Sequence, residues 1–217
     1  MRLTYEGEHR CGKGTQIELS DVLVDDALVV RGDGSYQGGL EGIVSPEVIA
    51  FRNSLNKRLY SADSVSEKLW DVAATACAAT ISSDVVANRN LLIDRGPLSR
   101  ASYLLSKGYV GRYLLDNMYP EFDYVDGDIH VVMPKIDVRD VDFGNIVYMQ
   151  VPSAVLLTRI TGDDPKAAFR RQNIIAKEGL FERAIDAVPQ EVRDVITIVD
   201  GSQAPEDVLT QYVHLLK

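Results

Sequence analysis

The feature that most restricts the fold is a glycine-rich segment that follows a short strand pattern. Residues 7–16 read GEHRCGKGTQ, so Gly7, Gly12 and Lys13 form the pattern G-x-x-x-x-G-K. A predicted strand over 2–6 precedes the segment, and a predicted helix follows it. Glycines at these positions let backbone N–H groups surround phosphate oxygens, and the lysine adds a cation near the terminal phosphates. The segment therefore predicts a phosphate-binding loop.

The position after the lysine departs from the usual pattern. A serine or threonine commonly follows, and its hydroxyl binds Mg²⁺, whereas here Gly14 follows and Thr15 comes one position later. We expect Thr15 to supply that hydroxyl, and the other loop residues to contact ATP. These residues are Gly7, Glu8, His9, Cys11, Gly12, Gly14 and Gln16.

Strand patterns alternate with helix patterns along the sequence. Such an alternation is typical of a parallel sheet that carries helices on both faces. The predicted strands cover 2–6, 27–31, 90–94, 146–151 and 195–200. The predicted first helix, over 15–25, places Leu19, Val22 and Leu23 on its buried face. The pattern as a whole predicts one α/β domain over 1–217 with a five-stranded parallel sheet.

A second charged signal follows the apolar strand that ends at Asp94. In LLIDRG, Asp94 and Arg95 come directly after the apolar residues, and sheets of this kind bind ligands at the carboxyl ends of their strands. Asp94 is predicted to hold Mg²⁺, and Arg95 is predicted to bind a phosphate of the acceptor. Arg31 and Arg100 are further cations that we expect to face the acceptor.

Three segments, in the right order, resemble thymidylate kinases. EGEHRCGKGTQ is similar to that family's loop E-G-x-x-x-x-G-K-x-T-Q, and DRGPLSRASY is similar to its D-R-Y-x-x-S-x-x-A-Y. VDGSQAPEDV is similar to its turn of the form D-A-S-Q-x-x-E-x-V, so the resemblance covers almost the whole chain. The resemblance implies a P-loop kinase fold, with ATP as phosphate donor and Mg²⁺ as cofactor.

The resemblance also implies roles for individual residues. Arg10 lies inside the loop, where it would reach the transferring phosphoryl group as an arginine finger. Ser99 and Tyr103 match positions of the family's acceptor segment. Ser202 matches a turn whose backbone lies against the adenine of ATP.

The segment 159–175 resembles the family's arginine-rich lid. Its four cations are Arg159, Lys166, Arg170 and Arg171. A mobile basic segment of this kind closes over ATP and excludes water during transfer. Arg159 and Arg170 are the two residues that we predict to contact ATP.

The acceptor-binding positions depart from the family pattern. His9 stands where thymidylate kinases carry an aspartate, and Gly96 replaces a tyrosine. Thr75 stands where an arginine would hold the thymine, and we expect Thr75 to contact the acceptor in its place. Asp71 or Val72 stands where an aromatic ring would stack. A hydrogen-bonding site that lacks its partner group discriminates strongly against the former ligand. We therefore predict ATP-dependent phosphoryl transfer to a nucleoside monophosphate, without selectivity for thymidylate.

Two other functions stay open at this point. One is a kinase of a hydroxyl acceptor, such as a modified nucleoside or another small metabolite. It benefits from a base near the end of the second strand, and Asp33 is the candidate. A nucleotide-binding regulator without turnover is the other alternative, although Lys13, Arg10 and Asp94 argue against it. The sequence leaves the acceptor and the oligomeric state undecided, with a homodimer as one option.

The composition limits the partners. The 217 residues carry a formal net charge of −9, which argues against unspecific binding to nucleic acid or to anionic membranes. Cys11 and Cys77 lack the spacing of a metal site, and no apolar run approaches about 18 residues. We expect a cytoplasmic protein with a small-molecule acceptor. The acidic segment 121–145 is predicted to be a surface excursion with a hairpin around Asp126.

Overall fold

The fold is organised around one mainly parallel sheet. A computed structural model describes residues 1–8, 10–31, 36–37, 67–126, 129–162 and 165–217. In chain order, the strands of these ranges are β1 (Arg2–Glu6), β2 (Leu28–Arg31), β3 (Tyr36–Gln37), β4 (Leu91–Asp94), β5 (Phe122–Asp126), β6 (Ile129–Met133), β7 (Asn145–Gln150) and β8 (Ile196–Asp200). The main sheet has the order β3-β2-β4-β1-β7-β8. Its last five strands are parallel and confirm the predicted sheet, whereas β3 is a short antiparallel edge strand that we did not predict.

Helices cover both faces of the sheet. Within the described ranges they are α1 (Lys13–Asp21), α2 (Glu67–Ile81), α3 (Pro97–Ser106), α4 (Gly111–Asp116), α5 (Ser153–Thr158), α6 (Pro165–Ala176), α7 (Leu180–Ala187), α8 (Gln190–Arg193) and α9 (Pro205–Tyr212). One buried cluster joins α2, α3 and α7 to one face, and a second joins α1, α5, α6 and α9 to the other. The alternation of side chains along each strand produces these two faces.

The first helix differs from its prediction. It ends at Asp21, and the side chains of Val22 and Leu23 are 85% and 53% exposed. The buried residues of α1 are Lys13, Gln16, Ile17 and Ser20. The predicted apolar face was therefore wrong, because α1 meets α9 through polar groups, with the Tyr212 hydroxyl donating to Gln16 Oε1 at 2.7 Å.

The acidic segment contains the predicted hairpin. β5 and β6 pair antiparallel from Phe122↔Met133 to Asp126↔Ile129, and the turn residues 127–128 lie outside the described residues. Across the described ranges, no helix combines the length and apolar character that crossing a bilayer requires.

Candidate active site

The loop between β1 and α1 requires glycine at two positions. Gly7 has φ 142°, and a Cβ atom there would lie 2.7 Å from Cys11 Sγ and 2.8 Å from the Met149 carbonyl oxygen. Gly12 has φ 105° and forms the N-cap of α1, a conformation that other residues rarely adopt. The loop therefore leads directly into the N–H groups of the first turn of α1, an arrangement that suits phosphate oxygens. The Cys11 side chain is buried beneath the loop, so its predicted contact with ATP rests on its backbone.

The side chain of Lys13 lies within this loop. It is buried, and its Nζ donates to the carbonyl oxygens of Gly7 at 2.7 Å and Glu8 at 2.9 Å. These partners are neutral, so the contacts leave the ammonium charge uncompensated. A phosphate oxygen at the loop would meet that charge directly.

Arg10 and Arg159 connect the loop to the turn after β8. Arg10 has φ 68°, a strained conformation for a residue with a side chain, and such strain clusters at functional sites. Nη1 of Arg159 donates to the carbonyl oxygens of Arg10 at 3.1 Å and Cys11 at 3.4 Å. Nη2 of Arg159 donates to those of Gly201 at 3.0 Å and Ser202 at 3.4 Å. Arg159, predicted as a lid residue, thus joins the phosphate loop to the turn predicted for adenine.

The turn after β8 has its own internal bonds. Asp200 accepts hydrogen bonds from the Ser202 N–H at 2.9 Å and the Ser202 hydroxyl at 2.5 Å, and these bonds lower the pKa of Asp200. A Cβ atom at Gly201 would lie 2.7 Å from Val151 Cγ2, so the turn packs closely against the chain after β7. The Ser202 hydroxyl therefore stabilises the turn, whereas the Ser202 carbonyl oxygen accepts from Arg159.

The side chain of Gln16 forms hydrogen bonds between α1 and α9. Its Nε2 donates to the Pro205 carbonyl oxygen at 2.9 Å, and its Oε1 accepts from Tyr212. The Tyr212 hydroxyl also lies 3.2 Å from Ser20 Oγ, which accepts from the Tyr5 hydroxyl at 2.6 Å. Both ends of the Gln16 amide are engaged, so this side chain joins α1 to α9. The contact of Gln16 with ATP stays a prediction, for its backbone N–H.

Two charged groups lie side by side at the ends of neighbouring strands. Arg31 of β2 is in register with Asp94 of β4. Among the residues that the structure describes, Arg31 Nε and Asp94 Oδ1 are each buried and have no hydrogen-bond partner, and unsatisfied buried groups of this kind are rare in folded proteins. Carboxylate and hydroxyl oxygens suit Mg²⁺, which keeps several waters and few protein ligands. Asp94 and the exposed Thr15 at the start of α1 therefore fit the predicted magnesium site.

Arg95 lies at a sharp turn beside the loop. It has φ 77°, and its N–H donates to the Tyr5 carbonyl oxygen at 3.0 Å. Because β1 pairs with β4, with Tyr5 opposite Asp94, the phosphate loop and the Asp94–Arg95 segment start from adjacent strand ends. The structure thus brings the two main charged signals of the sequence together.

Glu6 is a buried charged residue that the sequence reading did not assign to the site. Its Oε1 accepts from the N–H groups of Gly96, Leu98 and Ser99 at 2.8, 2.8 and 3.1 Å, and its Oε2 accepts from the Ser99 hydroxyl. Burial raises the pKa of Glu6, while the bonds from Ser99 and Gly96 and the charge of Arg95 oppose that rise. Glu6 thus caps α3. It also accepts the hydrogen bond of the Ser99 hydroxyl, the group that we predicted to contact the acceptor.

Close packing around Gly96 explains why a glycine replaces the tyrosine of the family pattern. A Cβ atom at Gly96 would lie 2.8 Å from Thr4 Cγ2 and 3.2 Å from Phe143 Cδ1. A tyrosine therefore does not fit at this position without movement of its neighbours.

The sequence does contain a signal for Glu6. It is an acidic residue at the end of an otherwise apolar strand, directly before the loop.

Arg100 is held inside the protein by several acceptors. Its Nη2 lies 2.7 Å from Asp71 Oδ1 and donates to the Asn117 carbonyl oxygen at 2.8 Å, and its Nε donates to that of Met118 at 2.6 Å. The guanidinium also lies 5.4 Å from the centre of the Tyr103 ring. The structure therefore gives Arg100 an ion pair in place of the predicted contact with the acceptor.

Thr75 is also fully buried. Its hydroxyl lies 3.0 Å from the Asp71 carbonyl oxygen and 3.1 Å from that of Pro120, and it donates to these groups. The predicted contact of Thr75 with the acceptor is therefore not supported, because its donor is already used. Asp71 is more than one-third exposed, so it is the accessible member of this group.

Lys177 is a second residue that the sequence reading missed. It lies between α6 and α7 and is half-buried. Burial lowers the pKa of Lys177, the charge of Glu8 opposes this, and Arg95 and Lys107 lower it further. The charges of Glu8 in the loop and of Arg95 after β4 therefore act on Lys177. Its sequence neighbours, AKEG, carry no recognisable signature.

The remaining predicted residues have mixed outcomes. His9 and Asp33 lie outside the described residues. Arg170 lies on α6 and is half-buried, and the next residue, Arg171, donates to the Gly162 carbonyl oxygen at 2.7 Å. The contact of Arg170 with ATP stays a prediction.

Comparison with known proteins identifies the fold. Neither a protein-family model nor a curated protein matches this chain. The structure is similar to a thymidylate kinase of Candida albicans described as broad in substrate specificity, with TM-score 0.57, 17% identity, and coverage of 99% of this chain and 89% of that one. It is also similar to a gluconokinase of Sinorhizobium meliloti 1021, with TM-score 0.46, 11% identity, and coverage of 99% and 90%. The chain therefore has a P-loop kinase fold like that of thymidylate kinase.

Proposed function

We propose that this protein transfers the γ-phosphoryl group of ATP to a nucleoside monophosphate. The observation that carries this proposal is the adjacency of the phosphate loop and the Asp94–Arg95 segment at neighbouring strand ends. A donor site and a second set of charged groups thus share the edge of the sheet where such folds bind ligands.

The donor end follows from the loop. Its N–H groups and Lys13 bind the β- and γ-phosphates, and Arg10 reaches the transferring group. Thr15 and Asp94 would hold Mg²⁺, which when bound would offset the charge of those phosphates. Arg159 holds the loop against the turn that receives the adenine. The residues contribute positioning and charge stabilisation, with little covalent chemistry.

The acceptor end favours a phosphorylated molecule. Arg31 ends β2 and Arg95 follows β4, and within the described part of the chain Arg31 Nε is buried without a hydrogen-bond partner. A monophosphate brings negative charge that such cations satisfy, whereas a hydroxyl acceptor has no need of them. These two residues support the monophosphate over the hydroxyl acceptor.

The groups near α2 support an acceptor range wider than thymidylate. Arg100 is tied to Asp71, and Thr75 is buried with its donor used, so neither supplies the bidentate contact that would select thymine. The loss of such a contact and of a stacking face costs on the order of 1–3 kcal/mol each. Broad specificity, as described for the Candida albicans enzyme, is therefore the behaviour that we expect.

The test is ATP consumption measured against a panel of nucleosides and nucleoside monophosphates. We expect monophosphates to stimulate turnover, Lys13→Ala to abolish it, and thymidylate to be a poor substrate. Near-normal turnover by a folded Lys13→Ala variant would contradict the loop assignment. A kcat/KM for thymidylate of about 10⁵ M⁻¹s⁻¹ or above would show that other residues read thymine.

The same panel separates the alternatives. Stimulation by nucleosides but not by monophosphates would identify a kinase of hydroxyl acceptors. ATP binding without turnover on any member would instead favour a regulator.

A further inference from the structure

A chain of buried hydrogen bonds runs from β1 to the start of α9. The Tyr5 hydroxyl donates to Ser20 Oγ at 2.6 Å, and Ser20 Oγ lies 3.2 Å from the Tyr212 hydroxyl. The Tyr212 hydroxyl donates to Gln16 Oε1 at 2.7 Å, and Gln16 Nε2 donates to the Pro205 carbonyl oxygen at 2.9 Å. All four residues that contribute side chains are buried. The chain of bonds thus joins β1, α1 and α9 through the interior.

The direction of each bond in this chain follows from its last member. The Pro205 carbonyl group can only accept, so the Gln16 amide presents its N–H group there and its oxygen to Tyr212. Tyr212 uses its proton on Gln16, so the Ser20 hydroxyl, which accepts from Tyr5, donates to Tyr212. Burial raises the pKa of Tyr5 and of Tyr212, so both phenols stay protonated. Each donor therefore has one acceptor, and the Gln16 amide is held in one orientation.

The two bonds of the Gln16 side chain connect the two parts of the proposed nucleotide site. Gln16 lies in the first turn of α1 together with Lys13, so it moves with the N–H groups that face phosphate. Pro205 begins α9 soon after the 201–202 turn, which is predicted to receive adenine, and Tyr212 ends α9. Gln16 thus contacts both ends of α9, and a contact of this kind resists rotation of α9 against α1.

We propose that Gln16 is a positioning residue that fixes the spacing between the phosphate loop and the turn that receives adenine. This inference rests on the proposed function for ATP as phosphate donor, but binding measurements test it without turnover. A ligand with two linked ends gains affinity from the linkage only when its two subsites are correctly spaced. Loss of the Gln16 bonds therefore weakens binding of ATP, which spans both subsites, and spares a ligand that occupies the loop alone.

The experiment compares two ligands by calorimetry, a non-hydrolysable ATP analogue and inorganic tripolyphosphate, each with Mg²⁺. Tripolyphosphate reproduces the phosphate chain of ATP without the adenosine. Gln16→Met keeps a side chain of similar length but removes both hydrogen bonds. We expect this variant to bind the analogue about 10-fold more weakly and tripolyphosphate within about 2-fold of the wild type. Tyr212→Phe removes one of the two bonds and should show the same selective effect to a smaller degree.

Ser20→Ala is the matched control. It removes a buried hydroxyl from the same chain of bonds but leaves both Gln16 bonds in place. We expect it to lower the free energy of unfolding, because Tyr5 loses its acceptor, and to leave the ratio of the two affinities unchanged. A change of this ratio in Ser20→Ala as large as that in Gln16→Met would assign the effect to general loosening of the fold and overturn the positioning role.

The outcomes separate this inference from the proposed function. Equal weakening of both ligands in Gln16→Met, or wild-type affinity for both, would overturn the positioning role even if nucleoside monophosphates are phosphorylated. Selective weakening of the analogue in a protein without kinase activity would support the positioning role and refute the proposed function. A wild type that does not bind tripolyphosphate would contradict the phosphate loop and thus both. If Gln16→Met does not fold, Tyr212→Phe decides by the same ratio.

Discussion

Replacement of Glu6 tests how the fold joins the phosphate loop to α3. In Glu6→Ala the N–H groups of Gly96, Leu98 and Ser99 lose their buried acceptor. Each unsatisfied buried group costs about 1–3 kcal/mol, and three such N–H groups are involved here. We therefore expect a loss of about 3 kcal/mol or more from the free energy of unfolding.

The amide variant should behave differently. Glu6→Gln retains one oxygen, which can accept from the same three N–H groups, and replaces the second oxygen, which accepts from the Ser99 hydroxyl and, at 3.2 Å, from the Ser99 N–H. That hydroxyl can rotate to accept from the new amide, so we expect a loss of about 1 kcal/mol or less. The control Glu18→Ala, on the exposed side of α1, should stay within about 0.5 kcal/mol.

The pH dependence gives the sign of the effect. Because burial raises the pKa of Glu6 in the folded state, the folded protein binds more protons than the unfolded one between the unfolded pKa, about 4.3, and the folded pKa. The wild type therefore loses stability as pH rises through this window. Glu6→Gln lacks this loss, so its stability relative to the wild type should improve as pH rises.

Urea unfolding followed by circular dichroism at several pH values measures both effects. If Glu6→Ala lowers the free energy of unfolding by less than about 1 kcal/mol, water replaces the carboxylate as acceptor without penalty. A difference between wild type and Glu6→Gln that is independent of pH would refute the assigned direction of the pKa shift.

Three further predictions concern the nucleotide end of the site. Arg10→Ala should lower kcat by about 10³-fold with little change in ATP affinity, and unchanged kcat in steady-state assays would reduce Arg10 to a surface charge. Arg159→Ala should weaken ATP binding about 10-fold in calorimetry, because the loop and the 201–202 turn lose their shared donor; unchanged affinity would contradict that link. Gly14→Ala should raise stability by about 0.5–1 kcal/mol in thermal unfolding, since among the described residues beyond its chain neighbours and the helix backbone no heavy atom lies within 4 Å of the added Cβ, and a loss would reveal a hidden constraint.

Local patterns predicted the parts of the site that one segment builds. Gly7, Gly12 and Lys13 form a loop whose geometry is set within a few residues, and Asp94 ends a strand whose apolar run is plain in the sequence. The parallel sheet then places the two segments together without further information. These features therefore follow from the sequence alone.

The parts that were missed depend on packing between distant segments. Arg100 pairs with Asp71 on another helix, and Glu6 caps a helix that begins 91 positions later. Such partners depend on how the helices pack against the sheet. The sequence around a charged residue has no periodic pattern that identifies its partner. The face of α1 was misread for the same reason, because it is buried through Gln16 and Ser20 rather than through leucine and valine.

The contact between α1 and α9 has a consequence for synthesis of the chain. A ribosome makes the phosphate loop within the first 13 residues, but Ser20 meets its partner Tyr212 only after 192 further positions. The hydrogen bonds by which Arg159 joins the phosphate loop to the 201–202 turn likewise need Gly201. The nucleotide site therefore matures near the end of translation, so nascent chains stalled before β8 should fail to be retained on immobilised ATP.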